Sequence, residues 1–377
     1  MPFEVPSSWV WCKLHDIIQI TNGRSQKYVE NVNGKYPIYG SGGIIGKAVD
    51  YLCEAGSTII GRKGTINNPL FVEERFWNID TAFGMKPMYA ISDLYFFYFC
   101  QYFDFSKLDK STAVPSLTQS AIGEVFIPIP PINEQKRITD GISYWLGFID
   151  TLESNLINLQ LAIKQTKSKI LNLAIHGKLV PQDPTDEPAA ELLKRINPKA
   201  EITCDNGHYQ KLPEGWCECC FDDIFNIKMG QSPNGSSINH QQGVEFHQGK
   251  ILFGDKYLKQ SDMFTDAPTK LATPNSLLLC VRAPVGVVNI TQREICIGRG
   301  LCSLKPNAAI NLDYAYHALT TYQSDFESKS TGSTFKAISG SIIRNELFAL
   351  PPLQEQYRIV TKIEEIFAQL DAIEASL

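Results

Sequence analysis

The stretch Pro130–Ile138 reads PPINEQKRI, and it returns at Pro351–Ile359 as PPLQEQYRI with six of the nine positions identical. The two stretches lie 221 residues apart. Shorter matches stand upstream at an offset of 207: Pro6–Trp9 returns as Pro213–Trp216, and Gly23-Arg24-Ser25 as Gly230-Gln231-Ser232. Internal repetition of this kind predicts two copies of one structural unit. Each copy is a globular domain followed by a helix, and the growing offset places insertions in the second domain.

The helix after each Pro-Pro pair is predicted from apolar residues spaced alternately four and three apart. This is the spacing of a coiled-coil seam. Gly177 and Pro181 predict the end of the first helix. The second run keeps the register of the first and stops at Leu377, the equivalent of Leu156, so about twenty helical residues of the first copy have no counterpart within these 377. The predicted seam positions are Ile138, Ile142, Trp145, Ile149, Leu152, Leu156, Leu159, Ile163, Ile170, Leu173, Ile359, Ile363, Ile366, Leu370, Ile373 and Leu377.

Two pairings of these helices are compatible with the pattern. A zipper between two chains is the simpler one, but each chain carries its own partner helix, which favours a pair within the chain. An antiparallel pair would relate the copies by a two-fold axis and hold the domains at opposite ends of a rod. From Ile138 to Leu173 that rod would be roughly 54 Å long, at about 1.5 Å per residue.

The predicted fold class is α+β, with two similar domains separated by long, antiparallel coiled-coil helices in pseudo-two-fold symmetry. The boundaries are a first domain at 1–129, a long helix at 130–180, a connector at 181–211, a second domain at 212–350 and a second helix at 351–377. A short helix is expected at 186–196, with an acidic start and a basic end, and a turn at Asn206-Gly207. The predicted strands include Ile17–Thr21, Ser57–Gly61, Asn275–Val281 and Val285–Ile290, and late helices are predicted at Tyr95–Phe103 and Leu312–Tyr322.

Composition predicts a protein of the cytoplasm. The longest apolar run is too short to span a bilayer, and the N-terminus lacks the features of a signal peptide. Cys217-Glu218-Cys219-Cys220 suggests a metal site, but Cys219 aligns with Cys12 in the repeat and no second pair of cysteines stands at ligand distance. Free thiols that pack in the core are therefore expected.

The net charge of −5 is not the charge of a tight DNA binder. Residues 1–129 and 212–350 each carry −1, whereas 351–377 carry −3. Near-neutral domains can present a basic face, but alone they neutralise few phosphates. Strong binding to DNA is therefore expected to need a partner.

The candidate binding surface consists of polar, glycine-containing loops at corresponding places in both copies. Glycine allows close approach of the backbone, while arginine, lysine, asparagine and glutamine supply donors that distinguish bases. Ordinary turns have the same composition, so the repetition carries the inference. The candidates are Asn22, Arg24, Ser41, Arg62, Lys63 and Thr112 in the first copy, and Gln231, Ser232, Arg282, Arg299, Lys329, Thr331 and Lys336 in the second.

Catalytic motifs are missing from the sequence. Gly46-Lys47 resembles the end of a phosphate loop, but Ser41 stands at the required glycine and Ala48 at the metal-binding hydroxyl. Asn68-Pro69-Leu70-Phe71 only half-resembles the motif with which amino-methyltransferases grip a flipped base. The histidines show no catalytic or zinc spacing. No catalytic residues and no metal site are predicted.

Duplicated domains, each followed by a Pro-Pro-x-x-Glu-Gln-x-x-Ile helix, resemble the specificity (S) subunits of Type I restriction–modification systems. Leu212–Trp216 looks like the entry to that family's second recognition domain, and Leu173–Gln182 is similar to its central conserved region. The likeness covers nearly the whole chain, and the short second helix is its one departure.

The resemblance implies a non-catalytic subunit that reads a bipartite target in double-stranded DNA, one domain per half-site, with the half-sites about 34 Å apart. Two modification (methyltransferase) subunits would dock on the helices, and restriction subunits would join them. S-adenosylmethionine, ATP and Mg are then expected on those partners, with no cofactor on this chain and no membrane. We hypothesise that Arg24, Arg62 and Lys63 serve one half-site and Arg282, Arg299 and Lys336 the other. The alternative is a coiled-coil adaptor whose two domains bind proteins.

Overall fold

The computed structural model describes residues 3–88, 91–109, 114–202, 212–332 and 336–377. It divides into two compact units, unit 1 at Met1–Ser154 and unit 2 at Asn155–Leu377. Both combine small sheets with helices, which confirms the predicted α+β class. Among the described residues, no helix is both long and apolar enough to cross a membrane.

Unit 1 is built on a four-stranded antiparallel sheet, and all five residues of its inner strand Ser57–Gly61, the polar Ser57 and Thr58 included, are buried. Its elements are β1 (Val10–Lys13), α1 (Leu14–Ile17), β2 (Ile18–Asn22), β3 (Tyr36–Gly40), β4 (Gly43–Ala48), β5 (Ser57–Gly61), β6 (Leu70–Val72), β7 (Trp77–Asn78), β8 (Ala82–Pro87), α2 (Asp93–Tyr102), α3 (Gln119–Gly123) and β9 (Phe126–Ile129). The main sheet has the order β2-β8-β5-β6, a second sheet the order β4-β3-β7, and β1 pairs with β9 as a separate antiparallel ribbon. Helix α2 packs on the main sheet and closes its core.

Along the chain, two helices follow the ribbon β1–β9 and precede the strands of unit 2. Helix α4 (Ile132–Ile175) is continuous over 44 residues, so the division between the units falls inside it. Helix α5 (Ala189–Ile196) begins three residues later than predicted, directly after Pro188. The proline explains the late start, because its ring disfavours helical backbone at the residue before it. The turn predicted at Asn206-Gly207 lies outside the described residues.

Unit 2 repeats this plan with additional short strands. Its elements are β10 (Cys217–Cys220), α6 (Phe221–Ile224), β11 (Phe225–Met229), β12 (Ile238–Asn239), β13 (Val244–His247), β14 (Phe264–Thr265), β15 (Leu271–Ala272), β16 (Ser276–Cys280), β17 (Val288–Thr291), β18 (Ile295–Ile297), β19 (Leu301–Pro306), α7 (Leu312–Thr321), α8 (Gln323–Ser328), α9 (Gly340–Arg344), β20 (Leu347–Leu350) and α10 (Leu353–Ala375). The main sheet has the order β11-β19-β16-β17, the second sheet the order β12-β14-β13-β18-β15, and β10 pairs with β20. Most of the growing offset arises between β13 and β16, which are separated by 28 residues (248–275), whereas β3 and β5 are separated by 16 (41–56).

The glutamine of the repeated PPxxEQ motif is buried in both units and makes the same contacts in each. The side-chain oxygen of Gln135 accepts the backbone N–H of Ser92, the N-cap residue of α2, at 2.8 Å, and its amide donates to the Pro130 carbonyl at 2.9 Å. Gln356 makes the matching bonds to Asn311, the N-cap residue of α7, and to Pro351. The motif therefore fixes how each long helix leaves its domain.

Within unit 2, the C-terminal part of α4 runs antiparallel to α10. Lys167 contacts Asp371 and Glu374 near one end of the pair, and Gln182, just beyond α4, contacts Glu355 near the other. The seam residues Ile163, Ile170, Ile359 and Ile363 are buried there. Leu173, Ile366 and Leu370 are half-buried, as are Ile138 and Ile142 at the start of α4, while Trp145, Ile149, Leu152, Leu156, Leu159, Ile373 and Leu377 are exposed.

The cysteines lie mostly in the cores. Cys217 and Cys219 are buried on β10, and burial raises the pKa of the Cys219 thiol. Among the described cysteines none is in a disulfide. Across the same part of the chain, no three histidine, cysteine or acidic side chains gather as a metal site would require.

Candidate nucleic-acid interface

In unit 1, the loop after β2 is held by backbone hydrogen bonds to the segment before β8. Gly23 donates its N–H to the Ala82 carbonyl at 3.1 Å, and Arg24 donates to the Asn78 carbonyl at 2.9 Å. A Cβ on Gly23 would lie 1.8 Å from the carbonyl oxygen of Ile79, so only glycine permits this approach. The neighbouring side chains of Asn22 and Arg24 remain exposed.

The loop after β5 is anchored to the same segment. The N–H of Arg62 donates to the Thr81 carbonyl at 2.7 Å, and its carbonyl accepts from Leu117 at 2.9 Å. The half-buried Arg62 guanidinium reaches the Asp80 carbonyl at 3.3 Å, and the exposed Lys63 pairs with Ser116 by a β-bridge.

Ser41, in the β3–β4 turn, lies beside the loop that follows β5. Its Cβ lies 3.2 Å from where a Cβ on Gly61 would be, and its side chain is half-buried. Asn22, Arg24, Ser41, Arg62 and Lys63 therefore share one edge of unit 1. Thr112 lies outside the described residues.

Unit 2 repeats the anchoring with different side chains. Gly230 donates to the Leu301 carbonyl and Gln231 to the Ile297 carbonyl, both at 2.9 Å. A Cβ on Gly230 would lie 2.2 Å from the Gly298 carbonyl oxygen. The Ser232 hydroxyl accepts the backbone N–H of Arg299 at 3.4 Å, which joins two of the predicted loops.

The loops after β16 and before α9 join the same edge of unit 2. Val281 donates to the Gly300 carbonyl at 3.0 Å, and Arg282 forms a β-bridge with Ala337. Ala283 donates to the Lys336 carbonyl at 3.2 Å, and Thr331 exchanges two backbone bonds with Ala337. We call the set of anchored loops in each unit its loop rim. The loop rim of unit 1 consists of residues 22–25, 41, 61–64, 79–81 and 115–117. The loop rim of unit 2 consists of residues 229–232, 281–284, 298–300, 331 and 336–338.

Lys329 differs from the other candidates because its charge is already paired. Its Nζ donates to both carboxylate oxygens of Glu346 at 2.7 Å, and that carboxylate is largely buried. The two side chains link the end of α8 to the start of β20. The structure therefore gives Lys329 a stabilising ion pair, and the exposed Lys336 is the free cation of this segment among the described residues.

Several residues hold the rim loops in place without belonging to the rim, and no pattern in the sequence indicated this role. Glu245 accepts hydrogen bonds from Arg293, from the N–H of Ser261 at 2.6 Å and from His247 at 2.8 Å. His247 in turn accepts the N–H of Gly298 on its carbonyl, so this cluster holds the loop that carries Arg299. In unit 1, Asn78 is buried and donates to the Ala82 carbonyl at 3.0 Å.

Comparison with known proteins finds a match over most of the chain. The sequence model of the family described as Type I restriction modification DNA specificity domain matches residues 6–161 and again residues 213–377. The putative type I restriction enzyme MjaX specificity subunit of Methanocaldococcus jannaschii is 30% identical over 285 residues, which cover 73% of this chain and 61% of that protein. This chain therefore spans less than two thirds of that relative's length.

Two solved structures share the fold over the whole chain. One, from work on complex assembly and conformational transition of the type I R-M system, superposes with a TM-score of 0.67 at 23% identity and is covered to 94%. The other is the HsdS subunit from Thermoanaerobacter tengcongensis, with a TM-score of 0.62, 21% identity and 93% coverage.

Proposed function

This chain belongs to the Type I restriction modification DNA specificity family, and we propose that it is the non-catalytic subunit that reads a bipartite DNA target. Each of its two domains reads one half-site through its loop rim. The observation that carries this proposal is that the same anchored rim is built twice with different side chains. A repeated scaffold with varied exposed donors suits the recognition of two unlike half-sites.

The chemistry of the rim supports base reading. Arginine forks pair with guanine, asparagine and glutamine with adenine, and serine with several bases. Arg24 and Asn22 present these donors in unit 1, and Gln231, Arg282 and Arg299 present them in unit 2. The glycines beside them hold the loops by backbone hydrogen bonds, so little conformational entropy remains to be lost on binding.

In this proposal, partner subunits supply the remaining affinity for DNA and the catalytic chemistry. The net charge of −5 leaves few phosphates that this chain alone can neutralise. We assign that role to two modification subunits docked on the helices, which would bring S-adenosylmethionine, and to restriction subunits that would bring ATP and Mg. Support for such an assembly comes from one structural neighbour, which was solved in work on complex assembly of the type I R-M system.

Methylome sequencing of cells with and without this gene, with the modification gene present in both, tests the proposal. A split adenine-methylation motif that appears only with the gene is expected. Unchanged methylation would contradict the proposal and favour an adaptor that binds proteins.

Alanine substitutions then assign the half-sites. Arg24→Ala, Arg62→Ala or Lys63→Ala should relax one half of the motif, and Arg282→Ala, Arg299→Ala or Lys336→Ala the other, each by about 1–3 kcal/mol of discrimination. Equal loss on every DNA sequence would instead make these residues phosphate anchors.

A further inference from the structure

An exposed apolar side chain lies next to the loop rim in each unit. The positions follow corresponding strands, because β3 of unit 1 pairs parallel with β7 and β13 of unit 2 pairs parallel with β18. Ile44 and Ile45 follow β3 across a tight turn, and Ile251 follows β13. We call Ile44 and Ile45 the apolar tip of unit 1, and Ile251 the apolar tip of unit 2.

In unit 1, a β-bulge presents the two isoleucines. Ile38 of β3 pairs with Gly46 of β4, but the next residue, Tyr39, pairs with Ile44, so Ile45 is an extra residue in the ladder. A regular strand would turn consecutive side chains to opposite faces, and a bulge re-aims them. Ile44 is 64% exposed and Ile45 is 53% exposed.

The apolar tip of unit 1 adjoins the loop rim of that unit. A Cβ on Gly40 would lie 3.8 Å from Cγ2 of Ile45 and 3.4 Å from Cδ1 of Ile79. Ile45 and Ile79 therefore lie beside the same glycine, and Ile79 belongs to the rim. A base that contacts the rim at this point also comes within reach of the tip.

In unit 2, a short turn beside the rim exposes Ile251. A Cβ on Gly300 would lie 2.2 Å from the carbonyl oxygen of Gln248, so the chain after β13 runs against the rim. A single turn of 3₁₀ helix follows at Lys250–Leu252. Leu252 packs against the core, whereas Ile251 is 94% exposed.

The recurrence of the tip carries more weight than either tip alone. One exposed isoleucine on a protein surface is ordinary. Here an exposed isoleucine lies beside the rim in both units, although a bulged hairpin presents it in one and a 3₁₀ turn in the other. The same chemistry on different backbones indicates that the need for an apolar group comes from what the rim binds.

The charges next to the tips favour a nucleic acid as that ligand. Residues 36–48 and 248–254 each contain one lysine and no acidic residue. Lys47 lies on β4 and Lys250 directly precedes Ile251, and both are exposed. An apolar side chain with a cation beside it suits DNA, because the methyl groups on its base edges lie between rows of phosphates.

We propose that each apolar tip packs against the C5 methyl group of a thymine in the major groove and so reads one A·T pair of its half-site. The proposal rests on DNA reading by the loop rims and adds an apolar contact to their polar donors. The β3–β4 hairpin is a two-stranded ribbon, a shape that the major groove admits.

Insertion of the tips between stacked bases is the competing mode of contact with DNA. An apolar wedge of that kind unstacks a base step and is typical of proteins that bind the minor groove. The forked donors of the rims suit the edges of stacked bases in the major groove. A tip that shares the rim therefore meets a methyl group and not a base plane.

The test uses the full chain assembled with modification subunits, and duplexes that carry the motif found by methylome sequencing. Each thymine of a half-site, apart from the one paired with the methylated adenine, is replaced singly by deoxyuridine. This replacement removes the methyl group and leaves the base-pairing atoms in place. One replacement in each half-site should lower the methylation rate at subsaturating DNA by about fourfold, the factor that corresponds to burial of one methyl-sized group.

Alanine variants then connect each thymine to a tip. Ile44→Ala/Ile45→Ala should lower the rate on thymine DNA by at least about fourfold and abolish the effect of deoxyuridine in one half-site only. Ile251→Ala should do the same in the other half-site only, so each variant is a control for the other. Val49→Ala removes an exposed side chain beyond the far end of β4 and should keep the full response to deoxyuridine. All these side chains are exposed, so the midpoint of urea unfolding should not change.

Failure of this proposal is distinguishable from failure of DNA reading, in which case no methylation motif would depend on the gene. With the motif present, a half-site that has no further thymine, a half-site insensitive to deoxyuridine, or tip variants that keep their sensitivity would overturn the proposal. Increased fluorescence of 2-aminopurine placed beside the sensitive position would reassign the tips as wedges. Loss of the variants from the assembled methyltransferase in sedimentation would reassign the tips to contact with a partner subunit.

Discussion

The side-chain oxygen of Gln356 accepts the backbone N–H of Asn311 at 2.7 Å, and its amide donates to the carbonyls of Ala309 and Pro351, both at 3.0 Å. Gln356 is fully buried. One side chain therefore ties the start of α10, the end of β20 and the N-terminus of α7 together. The equivalent Gln135 bonds Ser92 and Pro130 in the same way, which explains why the motif recurs.

Gln356→Ala should destabilise unit 2 by about 1–3 kcal/mol, because it leaves a buried N–H and two buried carbonyls unpaired. The free energy of unfolding, measured by urea titration, checks the effect, and hydrogen exchange of the Asn311 amide should accelerate most. Gln354→Ala is the matched control, since Gln354 is exposed on the same turn. Equal loss in both variants would mean that helix propensity rather than the buried amide is responsible.

The stability of unit 2 should fall as the pH is lowered from about 4.5 towards about 2, with Glu245 as one cause. Burial raises the pKa of Glu245, but hydrogen bonds from Arg293, Ser261 and His247 outweigh it and lower the pKa from 4.5 to about 2. A carboxyl with a depressed pKa in the folded state contributes stability above its unfolded pKa and loses it as the pH falls through the folded value.

Glu245→Gln should therefore flatten this part of the stability profile, measured by urea unfolding at a series of pH values. Glu294→Gln alters an exposed carboxyl nearby and should leave the slope as it is. A wild-type slope retained in Glu245→Gln would show that other carboxyls dominate acid unfolding.

The fold was predictable where the sequence repeats itself. The two Pro-Pro stretches and the heptad spacing located α4 and α10, and the β-branched run STIIG located β5 to the residue. The Glu245–Arg293 pair was not predictable, because its members stand 48 residues apart and the repeat supplies no counterpart. The ion pair of Lys329 was not predictable for a related reason: a lysine in a polar loop looks the same in the sequence whether it faces solvent or reaches Glu346.

Gly23→Ala should disable the rim of unit 1 while sparing that of unit 2. The added methyl group would lie 1.8 Å from a backbone oxygen, so the loop that carries Arg24 must move. We expect a cost of about 1–3 kcal/mol, as for other overpacked sites, and relaxation of one half of the methylation motif. Gly42→Ala is the control, since nothing lies within 4 Å of its added Cβ.

Gly230→Ala should relax the other half of the motif. Motif analysis of methylated DNA from cells that carry each variant distinguishes the two. Loss of both halves from a single substitution would indicate general unfolding, and hydrogen exchange of the unaltered unit would then be faster as well.

Lys329 and Lys336 lie seven residues apart and should respond to alanine in opposite ways. Lys329→Ala leaves the buried Glu346 carboxylate without its cation and should cost about 1–3 kcal/mol of stability, with target choice unchanged. Lys336→Ala should leave stability within about 0.5 kcal/mol and weaken recognition of one half-site. Urea unfolding and methylation of single-half mutant targets separate the two.

Because Lys329→Met/Glu346→Gln removes the buried charge along with its partner, the double variant should recover most of the lost stability. A double variant as unstable as Lys329→Ala would show that the ion pair is not what Lys329 contributes.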